Sequence, residues 1–495
     1  MGRTAAGPAG VIAAACGAAA AELLAAWLNP AAGPVVAVGA ALVDLSPTPV
    51  KEWAVASFGT ADKTVLMVGV ILGLALIAAV AGILAARRPG AGTAVFAVLG
   101  ALGALAAVTR PAAGVFDLLP ALLGTAVAIL LLRRQFGWLA EPRPDRPEGT
   151  LDRRVLLTGA AGLAASALAV GIHSRHEEVA TEIRLPPPRE PQPPLPAGVE
   201  ESVPQVSPLR TPVADFYRVD TALVVPHPSV EDWSLTVDGL VASPFRLTWE
   251  ELLALPMIER DITLTCVSNE VGGPYCGSTR WLGVAVAPLL RRAGADPSAD
   301  MVLSHSVDGF TASTPLAVLL DGRDAMVAIA MDGEPLAPAH GFPARLLTPG
   351  LYGYVGATKW LNRLQVTTFA ADEAYWTVRG WAEQAPVKTA CRIDTPRGRI
   401  PSGDAVAGGV AWATHRGIGR VEVQVDDGPW QRARLGPDVG LDYWRQWYLP
   451  WQASPGPHRL TARAYDADGV PQIAEPAGVL PDGATGYHVV EVTAT

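Results

Sequence analysis

Apolar and polar positions divide this chain of 495 residues into two regimes. Up to about residue 173, several apolar stretches approach or exceed the ~18 to 20 residues that carry a helix across ~30 Å of hydrocarbon. They predict five membrane spans, at about 10 to 28, 64 to 86, 91 to 109, 113 to 132 and 155 to 172. A sixth apolar piece, about 34 to 45, is short and holds Pro34 and Asp44, which predicts an external loop or re-entrant segment. From Leu185 to Pro212 ten prolines favour polyproline II, a semi-rigid spacer that should hold the C-terminal part of the chain away from the bilayer.

From about 213 the pattern shortens to strands, turns and a few helices. Leu247 to Leu253 starts a helix with Thr248 as N-cap and Glu251 at the capping-box position. Ile262 to Cys266 reads as a strand that delivers Cys266 to its C-terminal end, and Val286 to Arg292 as a short helix closed by Gly294. After about 371 helical patterning disappears. Arg420 to Arg434, turning at Asp427-Gly428, reads as a tight hairpin, and His458 to Tyr465 and His488 to Val492 alternate again. Several short strands in this span suggest an immunoglobulin-like sandwich. The chain therefore reads as a multi-span α-helical membrane anchor (1–173), a proline-rich linker (174–212), an α+β domain (213–370) and an all-β immunoglobulin-like sandwich (371–495).

Composition supports this division. Only 17% of residues are charged against 50% hydrophobic, and mean hydropathy is +0.27, which excludes one ordinary water-soluble globule. The net charge of −9, with no long Lys/Arg run, excludes a nucleic-acid partner. Arg87-Arg88 and the group Arg133, Arg134, Arg143, Arg146, Arg153 and Arg154 fall inside if the N-terminus is inside. An odd number of spans then makes the protein multi-pass in the cell membrane with its later domains extracytoplasmic. Arg153-Arg154 before a mildly apolar run reads either as a span flank or as a twin-arginine export signal.

The four cysteines, Cys16, Cys266, Cys276 and Cys391, make neither a disulfide scaffold nor a CxxC motif. Cys266, at a strand end before a polar glycine-rich loop, can offer a thiolate to a soft metal or a substrate, with Arg280 to bind anions nearby. In its bland reading it is a small buried hydrophobe. A second cluster, His340 to Arg345 followed by Thr358-Lys359, sets an imidazole, a guanidinium and an ammonium in glycine-rich loops, which suits a phosphorylated cofactor or ordinary surface salt bridges. A third segment is Phe216 to Asp220, with Arg218 between aromatic and apolar neighbours.

These three segments, in this order and followed by the sandwich, resemble the sulfite oxidase family, specifically membrane-anchored bacterial molybdopterin-dependent oxidoreductases. The resemblance covers about 213 to 495. It implies an enzyme with a molybdenum–molybdopterin cofactor in which Cys266 is the metal's thiolate ligand and Arg218 faces the substrate oxyanion. Phe216, Tyr217, Val219 and Asp220 would line the cofactor, His340 and Arg345 would hold the pterin and its phosphate, and Ala357, Thr358 and Lys359 would lie beside it. Asp308 is a looser match. The C-terminal domain would form a homodimer.

Two departures bear on the substrate. No cation closely follows Cys266, where sulfite oxidases carry an arginine pair, and Val378 stands where the family places a tyrosine near the metal. The implied reaction is two-electron oxygen-atom transfer on a small oxyanion such as sulfite, or alternatively on a sulfoxide, including protein methionine sulfoxide. A reading of another class is a non-catalytic envelope interaction protein. All eight histidines lie outside the spans, so no haem is expected in this chain. Electrons would pass to a separate carrier, a cytochrome or a quinone-linked subunit.

Overall fold

The computed structural model describes residues 3–47, 62–110, 113–140 and 183–495, with isolated positions between 50 and 58. The expected span at 155 to 172 and the Arg153-Arg154 pair lie outside the described residues. Contacts divide the chain into two units, Met1–Val179 with Thr221–His227, and Ala180–Asp220 with Pro228–Thr495.

In the first unit four helices are long and apolar enough to cross a membrane: Ala6–Leu28, Lys63–Arg87, Pro89–Val108 and Val115–Phe136. Small residues bring them together. A Cβ at Gly10 would lie 2.9 Å from the Gly82 Cα, and one at Gly17 would lie 2.5 Å from the Gly124 carbonyl oxygen. Glycine at these crossings lets the backbones touch, and dispersion between them replaces the hydrophobic drive that lipid removes. The piece expected as a loop or re-entrant segment is a helix, Pro34–Leu45. Pro34 opens it, where a missing N–H is harmless, and its 12 residues are too few to span. Asn29 caps the preceding turn, accepting from Ala31 N, and donates to the buried Asp117 carboxylate at 3.1 Å.

The second unit begins with two sheets. Their strands are β1 (Ser234–Gly239), β2 (Phe245–Thr248), β3 (Met257–Thr265), β4 (Cys276–Ala285), β5 (Met301–Ser306), β6 (Thr311–Pro315), β7 (Met326–Met331), β8 (Glu334–Pro335), β9 (Arg345–Leu347) and β10 (Leu361–Thr367). One sheet has the order β2-β1-β10-β5-β6, the other β3-β4-β7-β8 with β9 on β7. A single core of residues such as Trp233, Leu235, Val284, Leu290, Val327 and Leu364 joins them with the helix Val286–Ala293. The Thr248/Glu251 capping box forms, and Gly294 ends its helix in the left-handed region, as the sequence predicts.

The all-β region comes next, as β11 (Ala390–Thr395), β12 (Gly398–Ile400), β13 (Gly403–Trp412), β14 (Ile418–Val425), β15 (Gln431–Arg432), β16 (Arg434–Leu435), β17 (Arg445–Ala453), β18 (Gly456–Asp466) and β19 (His488–Ala494). Two sheets, β11-β13-β17-β16 and β12-β19-β18-β14-β15, close on a core that includes Trp447, Trp451, Val421 and Leu460. The expected hairpin is β14 with β15.

The proline-rich segment is not a free spacer over its described part. Arg189 N donates to Met257 O at 2.9 Å and Gln192 N to Glu259 Oε2 at 2.8 Å, so the extended chain lies along the edge strand β3. Val199, Val203 and Val206 are buried against Val406 and Tyr448. Polyproline II has no internal hydrogen bonds, so its remaining N–H groups are free to bond a strand edge, and the interspersed valines add an apolar reason to stay.

Candidate active site

β3 and β4 are antiparallel, with Thr265 opposite Cys276. The loop between them starts at Cys266, so the sheet fixes the backbone on both sides of this thiol. Cys266 N donates to Tyr275 O at 3.0 Å, Asn269 N to Cys266 O at 3.2 Å, and Tyr275 N to Asn269 Oδ1 at 2.8 Å. Cys266 is 8% exposed. Burial pushes its thiol up, against hydrogen bonds from Ser268 and the charge of Lys359.

The other two segments meet here. Phe216 packs edge-on against Trp281 at 5.8 Å and His340 at 6.0 Å, and stacks on Tyr217 at 5.4 Å. Gly277, early in β4, makes room for it: a Cβ there would lie 2.8 Å from the Phe216 ring. Tyr217 reaches Tyr275 at 6.3 Å. Burial and the nearby Cys266 raise the Tyr217 hydroxyl well above its ordinary value, with Arg345 opposing. Thus residues far apart in sequence share one electrostatic environment.

Asp220 collects two cations on one oxygen, Lys359 Nζ at 2.8 Å and Arg218 Nε at 3.0 Å. Arg218 remains 41% exposed at its side chain, whereas Asp220 is 5% exposed. Lys359 also donates to Ala339 O at 2.9 Å. Its burial, with Arg345 nearby, brings it down to about 8 despite Asp220. His340 Nε2 lies 3.3 Å from Val213 O, and burial, with the charges of Arg345 and Lys359, pushes the imidazole down to about 4. It is neutral at neutral pH, so its ring can donate to that carbonyl through one nitrogen.

Arg345 is 3% exposed and lies over the Trp281 ring at 5.3 Å. Its Nη1 donates to His340 O at 3.0 Å and its Nη2 to Ala357 O at 3.4 Å, while Nε has no partner. Burial holds the guanidinium down to about 10. A buried cation whose only acceptors are carbonyls suits an anion. Gly341, in the left-handed region at φ +107°, brings the backbone against Lys359, where a Cβ would lie 3.1 Å from the Lys359 Cα. Ala357 is buried in the Phe216 cluster, and Thr358 Oγ1 bonds Ser304 Oγ at 2.7 Å.

Three of the expected residues stand apart from this cluster. Asp308 lies in the β5–β6 turn, where its carboxylate accepts from Phe310 N at 3.0 Å; only its neighbour Val307 reaches the other segment, by donating to Trp360 O. Val219 points outward, 43% exposed. Arg280 is not an available anion binder, because it forks onto Asp261 at 2.8 and 2.9 Å and onto the carbonyls of Gln192 and Pro193. Trp281, by contrast, belongs to the site wall. Tyr275, Ser304 and Gly277 gave no signal along the chain, since their roles exist only through cross-strand contact.

Among the described residues no group of three or more His, Cys, Asp or Glu could hold a metal ion. The donor set here is one buried thiol beside three cations and one carboxylate. It fits a metal brought in on an anionic organic cofactor: Cys266 would hold the metal, and Arg345 would hold an anionic group of the cofactor.

Residues 222–376 match the model of the oxidoreductase molybdopterin binding domain. The uncharacterized oxidoreductase YuiH of Bacillus subtilis (strain 168) is 33% identical over 177 residues, which cover 36% of this chain and 86% of that protein. The chain belongs to this molybdopterin-dependent, sulfite-oxidase-like family. It is an oxidoreductase. Nitrate reductase (NADH) 1 of Oryza sativa subsp. japonica is 33% identical over 192 residues, 33% of this chain, and the match spans only 21% of that enzyme. The sulfane dehydrogenase SoxCD from Paracoccus pantotrophus superposes with a TM-score of 0.47 at 25% identity, covering 53% of this chain and 74% of that one.

Proposed function

We propose that this protein is a membrane-anchored molybdenum-cofactor oxidoreductase that performs two-electron oxygen-atom transfer on a small oxyanion such as sulfite. The observation that supports this most is the buried Cys266 thiol and the buried Arg345, which has no carboxylate partner, both acting on the same buried Tyr217. When bound, the cofactor supplies a metal that cycles by two electrons within a sulfur-rich ligand set. Cys266 binds it as the thiolate. Arg345, with His340, holds the pterin and its phosphate. Lys359 and Asp220 fix the position of Arg218, whose half-exposed guanidinium orients and charge-stabilises an anionic substrate. Phe216, Tyr217 and Trp281 wall the pocket from water.

The four apolar helices, with the fifth span expected from the sequence at 155 to 172 and the arginine-rich connections, support an inside N-terminus and an extracytoplasmic catalytic domain. Electrons would pass to a separate cytochrome or quinone-linked subunit, and the two-sheet domain, read as immunoglobulin-like, would mediate a homodimer. A sulfoxide substrate is the second reading. It is favoured by the sharing of Arg218 and Lys359 on one carboxylate, which leaves this trio one net positive charge, and by a Cys266 loop whose only charged side chain is Glu270.

The test is the full chain expressed in a cofactor-competent host and purified in detergent. Near one molybdenum per chain is expected, with loss in Cys266→Ser. Full molybdenum and full activity in that variant would remove Cys266 from the metal. Turnover of sulfite but not of sulfoxides supports the first substrate reading, and the reverse supports the second.

A further inference from the structure

The segment that carries Cys266 is held from outside its own sheet. Three residues before the thiol, on the edge strand β3, Thr263 N donates to Asp442 O at 2.8 Å, and Thr263 Oγ1 accepts from Trp444 N at 2.7 Å. Seven residues after it, Gly273 O accepts from Arg392 Nη1 at 2.9 Å. Arg392 lies on β11 of the all-β region and is 8% exposed. Its other donors are fixed: Nε to Asp394 Oδ1 at 2.6 Å and Nη2 to Ser207 Oγ at 2.8 Å, while Asp394 Oδ2 takes Ser207 N at 2.9 Å. The guanidinium therefore has little freedom, and whatever it holds is held in place.

A second element of the same region meets the loop one residue earlier. A Cβ at Gly272, which sits at φ +78°, would overlap the His488 ring of β19, and His488 Nδ1 is itself oriented by Ile393 N at 2.9 Å. Between these contacts lies a cleft, lined by Asn269, Val271 and Gly272 of the loop and by Ala390, Cys391 and Trp412 of the all-β region. Val267, beside the thiol, packs in a core with Val410 and Trp412 of the all-β region, while the far end of the loop is held by the point contacts at Gly272 and Gly273.

We infer that Arg392, assisted by His488, is a positioning residue that sets where the Cys266 thiol stands, so that the C-terminal region forms part of the metal-site scaffold. This inference rests on the reading of Cys266 as the metal ligand. Inside the loop, the bond from Gly273 N to Glu270 O and the Asn269 side chain transmit the restraint at Gly273 back to Cys266.

The experiment compares full-length wild type, Arg392→Met, Arg392→Lys, Gly272→Ala and, as control, Arg463→Met, which removes the ion pair with Glu422 on another sheet. Each is made without cofactor, and alkylation of Cys266 by iodoacetamide is followed by mass spectrometry, with buried Cys276 and Cys391 as internal references. Arg392→Met should label Cys266 about ten- to hundredfold faster, the change expected when one charge-assisted hydrogen bond no longer opposes local opening, and Gly272→Ala, whose Cβ collides with the His488 ring at a positive φ, should also label faster than wild type. Arg392→Lys should recover part of the protection, and Arg463→Met should match wild type. If Arg392→Met does not fold, Arg392→Lys and Gly272→Ala decide. In cofactor-loaded protein the same variants should change the Mo(V) resonance and lower kcat more than they raise KM. Wild-type labelling rates in the Arg392 and Gly272 variants overturn the inference. Full molybdenum in Cys266→Ser would instead remove the ligand reading while leaving the labelling result intact.

Discussion

Lys359 gives a pH-dependent stability difference whose size can be worked out. The ammonium is 9% exposed and bonded to Asp220 and Ala339 O, yet burial and Arg345 bring it from 10.5 down to about 8. At ~1.4 kcal/mol per pKa unit, the charged form is disfavoured in the fold by about 3 kcal/mol. Between pH 8 and 10.5 the folded protein binds fewer protons at this site than the unfolded chain, so stability rises with pH across that window. Below pH 8 the cost is present in full, and above 10.5 it is absent. Lys359→Met removes the dependence. Relative to this variant, wild type made without cofactor should therefore gain about 3 kcal/mol between pH 7 and 10.5, or roughly 5 to 10 °C in the unfolding midpoint of the sheet unit. The assay is thermal unfolding in detergent followed by near-ultraviolet circular dichroism of the tryptophans. Lys388→Met, whose ammonium pairs with Asp482 outside the site, is the control. A midpoint difference between wild type and Lys359→Met that stays constant from pH 7 to 10.5 would refute the reasoning.

His340 and His488 are both brought down to about 4 by burial, so each keeps the fold stable above 6.5 and loses that contribution as the pH falls toward 4. The double variant His340→Gln/His488→Gln should show a flatter acid limb in urea titrations between pH 7 and 4.5. Gly277→Ala should destabilise by about 1 to 3 kcal/mol, because its Cβ meets the Phe216 ring in a packed wall, and elemental analysis should find its molybdenum content reduced. Trp281→Ala, which empties a fully buried site under Arg345, should cost about 3 to 5 kcal/mol by denaturant titration. Trp281→Phe should lose less.

What the sequence determined by itself was the local and the periodic. The long apolar runs gave four membrane-length helices, since a helix satisfies its own backbone and needs only length and hydropathy to cross lipid. The capping box at Thr248, the Gly294 stop and the strand ending at Cys266 were legible because each depends on residues a few positions apart. The helix at Pro34–Leu45 replaces the loop half of its expectation, because Pro34 suggests a break until its place in the first helical turn is known, while its length remains that of a re-entrant segment. Tertiary structure alone decided where the cations end up. Arg280 is taken up by Asp261 across β3 and β4, in keeping with a structural role, while Arg345 is buried with its Nε unpaired. The proline-rich segment looked like a spacer because its fate depended on an unpaired strand edge elsewhere. Arg392 offered no sign, since Gly273 lies 119 positions away. Burial, charge pairing and cross-domain restraint depend on which surfaces meet, and distance along a chain does not encode that.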